Sequence, residues 1–162
     1  MNNEMKLRFK AISENEAFAR MTISAFIASL NPTLEEIADV KTAVSEAVTN
    51  AIVHGYEEME GIIELSAVYK EGQLTIRVCD RGVGISNIDE ALQPFYTTAA
   101  DKERSGMGFS FMEAFMDELK VISKPASGTI VIMKKYLKDK SKTDIDTDID
   151  VSQIRNQRAD IK

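Results

Sequence analysis

The chain has 162 residues, 44% hydrophobic and 28% charged, with 20 Lys plus Arg against 26 Asp plus Glu and a formal charge of -6. That length suits one domain with a sizeable core, and a single cysteine, Cys79, excludes an internal disulfide framework. The acidic balance argues against a broad nucleic-acid footprint and is compatible with a protein partner carrying a basic patch. No apolar run approaches the ~20 residues of a membrane span. The start MNNEMKLRFKA lacks the apolar stretch of a secretory signal, so the cytoplasm is the expected compartment. With one histidine and one cysteine in the chain, a structural zinc site is not expected.

Residues 5–11 alternate apolar and polar at Leu7, Phe9 and Ala11, which predicts a strand with one buried face. Ser13-Glu14-Asn15-Glu16 has the form of a capping box. The helix it would open runs to about Leu30, with Phe18, Met21, Phe26 and Leu30 among its apolar positions, and Asn31-Pro32 breaks it. Thr33-Leu34-Glu35-Glu36 is a second capping box. It starts a longer helix to about His54, with Ile37, Val40, Val44, Val48, Ala51 and Ile52 as its apolar stripe. Gly55 is the expected stop, since glycine tolerates positive φ. Strands are predicted over 61–70 and 73–80, joined as a hairpin by Glu71-Gly72. Residues 81–105 lack periodicity and read as a long, functional loop. A helix over 106–117 follows, then a closing hairpin over 119–124 and 129–137 around Pro125-Ala126-Ser127-Gly128.

From Lys138 the composition changes. Six basic and six acidic residues and no aromatic one occupy the 25 residues to Lys162, which reads as a flexible tail. The DIDTDIDV run there lacks the central Gly and late Glu of a calcium loop. The element order predicts an α+β, two-layer α/β sandwich: one mixed, mostly antiparallel sheet with its helices on one face.

Three segments could carry chemistry. Glu46 and Asn50 stand four apart on the second helix, with His54 continuing their stripe. A carboxylate and an amide on one face offer a proton acceptor and an oxygen for a hard cation. The pair by itself describes a solvated face equally well. Asp80-Arg81-Gly82-Val83-Gly84 follows an apolar strand. Its Asp can accept from an exocyclic amine, and its glycines would let a base or ribose lie against the backbone. Alone, it reads as an Asp-Gly turn. Arg104-Ser105-Gly106-Met107-Gly108-Phe109 opens a helix, whose exposed N–H groups and dipole suit an anion. There is no G-x-x-x-x-G-K-[ST] and no G-x-G-x-x-G, so a P-loop or Rossmann site is not supported.

In this order, the three segments resemble the Bergerat nucleotide-binding fold of DNA gyrase, the Hsp90 chaperone, bacterial histidine kinases and MutL. The N box resembles 46–51, the first glycine box 80–84 and the second 106–108, and the resemblance spans roughly residues 5–137. Residues 1–137 are accordingly expected to form the ATPase or kinase domain, and 138–162 its charged tail. No phospho-acceptor helix is present, so a complete histidine kinase is not expected. The segments NEAFAR from Asn15, SEAVTNAIVHG from Ser45 and ERSGMGF from Glu103 are similar to the anti-sigma-F factors of endospore-forming bacteria.

That resemblance implies a serine protein kinase and sigma-factor inhibitor in one chain, acting as a homodimer with ATP and Mg²⁺. Asp80, helped by Thr129, would take the adenine amine. Gly82 and Gly84 would border the nucleotide, and Asn50 would hold Mg²⁺. Gly106, Met107 and Gly108 would bind phosphates. Arg104 would neutralise charge on the γ-phosphate, Glu46 would be the general base, and residues 86–104 would form a lid. Arg20 would lie on the partner-docking face. The partners implied are a sporulation sigma factor and an anti-anti-sigma factor, the latter phosphorylated on serine, with no direct nucleic-acid or membrane binding. The alternatives are a related kinase acting on a stress-response sigma factor, a nucleotide-dependent binding module without phosphoryl transfer, and an ATP hydrolase.

Overall fold

The computed structural model describes residues 2–57, 59–93 and 107–137. Arg104, Gly106, residues 94–104 of the expected lid and the 138–162 tail lie outside the described residues. The elements are β1 (Asn3–Lys10), α1 (Glu14–Ala28), α2 (Leu34–Asn50) with a single π-helical turn at Ala51–Gly55, β2 (Ile62–Lys70), β3 (Gln73–Cys79), α3 (Ile88–Ala91), α4 (Gly108–Phe115), β4 (Glu118–Ser123) and β5 (Thr129–Tyr136).

The strands form one five-stranded sheet in the order β1-β2-β3-β5-β4. Every ladder is antiparallel, so the parallel component of the expected mixed sheet is absent among the described residues. The cause is where β5 inserts. β3 and β4 run the same way, joined by a crossover through α4, and β5 lies between them and pairs with both. The β2–β3 hairpin closes as its sequence predicts, with Glu71 at φ 51° and Gly72 at φ 85°.

One face of the sheet carries Ile63, Leu65, Ala67, Leu74, Ile76, Val78, Val131 and Met133, all buried. The helices cover this face, and the core is continuous from Ile23 and Ile27 of α1 through Val40, Val44 and Val48 of α2 to Met112 of α4. The apolar stripe of α1 differs from expectation. Ala19, Ile23 and Ile27 point inward, whereas Phe18 and Met21 are 51% and 66% exposed. Both sets are apolar, so hydrophobic periodicity alone could not choose the inward face. Among the described residues no helix is long and apolar enough to cross a membrane.

The two capping boxes part company. At Thr33 the box is complete: the Glu36 N–H donates to Thr33 Oγ1 at 3.1 Å, and the Thr33 N–H donates to Glu36 Oε2 at 2.7 Å. At Ser13 no side-chain cap forms, and the residue is already helical at φ -57°, ψ -35°. Glu16, the other half of that expected box, is drawn sideways to α2. It accepts from Ser45 Oγ at 2.5 Å and lies 3.7 Å from Arg20 Nε. Thr33→Ala should therefore cost about 1 kcal/mol in urea unfolding, while Ser13→Ala should change stability by less than about 0.5 kcal/mol.

Candidate functional site

The site is assembled along α2 and the π-turn that ends it. Ala51–Gly55 widens the helix by one residue, with the Tyr56 N–H donating to the Ala51 carbonyl at 3.0 Å. Such turns occur often at functional sites. Gly55 terminates the helix, but not through positive φ as expected, because it is not among the left-handed residues. It is small because Asp80 lies against it. A Cβ there would come within 3.1 Å of both Cγ and Oδ1 of Asp80.

Asp80 sits just past β3 and is only 5% exposed. Its Oδ1 accepts from the Gly82 N–H at 2.9 Å and the Thr129 N–H at 3.2 Å. Its own N–H donates to the Thr129 carbonyl at 3.0 Å. Burial pushes the Asp80 carboxyl above its ordinary value, and the two backbone hydrogen bonds oppose that rise in part. Thr129 thus meets Asp80 through its backbone. Its hydroxyl is 2.9 Å from Ser123 Oγ, which also accepts from the Ile85 N–H at 2.8 Å. Ser123 therefore ties the glycine-rich loop to β5. Nothing in its local sequence marks it, because a serine in a strand carries no motif.

The glycines of that loop have structural reasons of their own. A Cβ at Gly82 would lie 1.8 Å from the Gly55 carbonyl oxygen. Gly84 has φ 73°, and a Cβ there would lie 2.1 Å from the Lys124 carbonyl oxygen. Both are expected from the sequence to make room for a ligand. Each already makes room for the protein's own backbone, and the Val83 N–H seals the contact by donating to the Gly55 carbonyl at 2.8 Å.

The second half of the site lies earlier on α2. A Cβ at Gly108 would be 3.1 Å from Asn50 Nδ2, 3.2 Å from Asn50 Oδ1 and 3.2 Å from Glu46 Oε2. The amide, the carboxylate and the first turn of α4 therefore share one small space, which a side chain at 108 would crowd. Met107 precedes α4 as its N-cap and makes no side-chain cap bond, so the first N–H groups of that helix have no side-chain partner from its cap. Asn50 and Gly55 are five residues apart, about 7 Å along a helix axis. The structure thus brings Glu46, Asn50, Met107 and Gly108 together at one end, and Asp80, Gly82, Gly84 and Thr129 at the other. Among the described residues, no group of three or more His, Cys, Asp or Glu side chains could hold a metal ion. Arg20 is on α1 with its side chain 41% exposed, 3.7 Å from Glu16, which the Ser45 hydroxyl ties to α2 next to Glu46.

This sheet and this pairing of a helix with a glycine-opened helix define a histidine kinase-like ATPase domain, and the family model of that description matches residues 9–135. An ATPase domain implies ATP binding. The chain is 57% identical over 135 residues to an anti-sigma F factor of Clostridium acetobutylicum, covering 83% of this chain and 94% of that protein. It is 55% identical over 138 residues to an anti-sigma F factor of Bacillus cereus, covering 85% and 94%. The chain belongs to the anti-sigma F factor family of histidine kinase-like ATPases. Solved structures agree on the fold. The RsbU and RsbW domains of a Mycobacterium tuberculosis protein align with a TM-score of 0.62 at 23% identity, covering 83% of this chain and 32% of that one. The catalytic domain of the histidine kinase ThkA aligns with a TM-score of 0.51 at 14% identity, covering 82% and 96%.

The raised Asp80 value has a consequence for stability. The folded protein holds this proton more tightly than the unfolded chain, so the group favours folding below the ordinary carboxylate value and opposes it once pH has risen through the folded value. Asp80→Asn should therefore be more resistant to urea than the parent at pH 7, and the gain should shrink as pH falls toward 4, as chemical denaturation across that range will measure.

Proposed function

We propose that this chain is an ATP-dependent serine protein kinase that phosphorylates an anti-anti-sigma factor and also binds and inhibits a sporulation sigma factor. The observation that carries this reading is the meeting of Glu46, Asn50 and Gly108. Nucleotide binding alone would not need a carboxylate there, whereas phosphoryl transfer to a hydroxyl needs a proton acceptor.

In this reading Asp80 accepts the exocyclic amine of adenine, since its carboxylate is aimed and fixed by two backbone donors. Asn50 offers its side-chain oxygen to Mg²⁺. One amide oxygen, with phosphates and waters completing the shell, fits that hard cation, which usually keeps several waters. Bound there, Mg²⁺ would neutralise charge on the phosphates. Met107 and Gly108, with Gly106 by resemblance, give their N–H groups to the phosphates, and the α4 dipole adds a favourable field. Arg104, assigned by the same resemblance, neutralises charge developing on the γ-phosphate. Glu46 accepts the proton of the partner's serine hydroxyl. The serine oxygen forms a bond to the γ-phosphorus, the bond from that phosphorus to the bridging oxygen breaks, and its electron pair leaves with ADP. The added phosphate, about -1.5 to -2 in charge, weakens the partner's hold on an acidic protein.

Residues 1–137 form the catalytic domain in this account, and 138–162 a charged tail. The chain acts in the cytoplasm as a homodimer. Docking falls on α1, which carries Arg20 and the exposed Phe18 and Met21.

Incubation with labelled ATP and candidate anti-anti-sigma proteins tests the chemistry. Label should appear on a partner serine and fall at least a hundredfold with Glu46→Gln, the ordinary scale for loss of a general base. Free phosphate without a labelled partner would favour a hydrolase instead, and bound nucleotide with neither product a binding module. Arg20→Glu should weaken capture of the sigma factor in a pull-down while ATP affinity stays unchanged, and undiminished capture would remove Arg20 from the docking face.

A further inference from the structure

Lys135 is a charged residue on the buried face of the sheet. Its Nζ donates to Asp39 Oδ2 at 2.9 Å and to the Phe115 carbonyl oxygen at 2.7 Å. The Lys135 and Asp39 side chains are 14% and 20% exposed. Asp39 lies in the second turn of α2, and Phe115 is the last residue of α4. One ammonium group therefore joins the sheet, the early part of α2 and the C-terminal end of α4. A cation at that end of a helix is also favoured by the dipole.

The other end of α4 rests on the late part of α2, where Gly108 meets Glu46 and Asn50. The two helices thus run in opposite directions, and α4 is held to α2 near both of its ends. Between them Met112 is fully buried. α4 has eight residues, about 12 Å of helix. A rod that short, pinned at Met112, tilts as a unit, and movement at Phe115 becomes movement at Gly108. A largely buried ion pair generally adds little stability over an apolar side chain of similar length. What it does supply here is direction, because the ammonium reaches one acceptor on α2, Asp39 Oδ2, and one on α4, the Phe115 carbonyl, and so ties the two helices at one relative placement.

We propose that Lys135 and Asp39 are positioning residues for the phosphate end of the nucleotide site. They fix the tilt and axial placement of α4, and hence the amides at its N-terminus. The inference rests on the nucleotide reading above and adds two residues that touch neither base nor phosphate.

Calorimetry with MgATP and, separately, adenosine tests it on the full chain. Lys135→Met should weaken MgATP about tenfold, the scale of one displaced hydrogen bond to a charged group, and leave adenosine within about twofold. Lys135→Arg should restore most of the loss. Equal falls for both ligands, or an unchanged MgATP affinity with only a lower melting temperature, would overturn the proposal. If Lys135→Met does not fold, Asp39→Asn decides on the same ratio. A wild-type protein that binds neither ligand contradicts the nucleotide reading itself, and the inference falls with it.

Discussion

The molecule turns on the contact between the end of α2 and the loop leaving β3. The Gly55 carbonyl receives the Val83 N–H at 2.8 Å and occupies the space where a Gly82 side chain would begin. No side chain larger than hydrogen fits at 82, and Gly55 itself faces the Asp80 carboxylate. This docking fixes Asp80 relative to the helix that carries Glu46 and Asn50. Both halves of the site therefore share one rigid reference, and the distance between them is set by helix geometry.

The contact is held from outside as well. The Tyr56 hydroxyl donates to the Ile62 carbonyl at 2.6 Å and accepts from the Arg81 N–H at 2.9 Å. The turn between β4 and β5 reaches over through the Ala126 N–H, which donates to the Val83 carbonyl at 2.7 Å. Ser123 adds its links to Ile85 and Thr129. Asp80 is buried at a cost, as its raised proton affinity records, and the backbone donors around it offset part of that cost. A carboxylate held in this way is poised for a ligand that brings its own donors. The bond from the Gly82 N–H is itself an Asx turn, and burial of the carboxylate is the feature that the proposed base recognition adds to it.

Much of this could be read from residue order because it is local. The Thr33 box, the Glu71-Gly72 turn and the closing hairpin depend on neighbours within a few positions, and each forms where its residues stand. What could not be read depends on distant partners. Ser13 and Glu16 have the right spacing for a cap, yet Ser45 of α2 takes Glu16. Phe18 and Met21 are as apolar as Ile23, and only the packing of α1 on α2 decides which are covered. β5 entering between β3 and β4 is a choice of topology that no local pattern encodes. Glu46, Asn50, Asp80 and Gly108 were visible as candidates because the ordered set of motifs resembles a known family. Ser123 and Lys135 were not, since nothing in their immediate sequence marks them.

The central claim is that one helix and its π-turn present a base end at Asp80 and a phosphate end at Gly108. Residue-resolved amide hydrogen exchange with adenosine and with MgATP tests it most directly. The account predicts that adenosine slows exchange at 80–84 and 129 alone, and that MgATP slows it there and at 107–110 together. Protection by MgATP at one end without the other, or at neither, would contradict it.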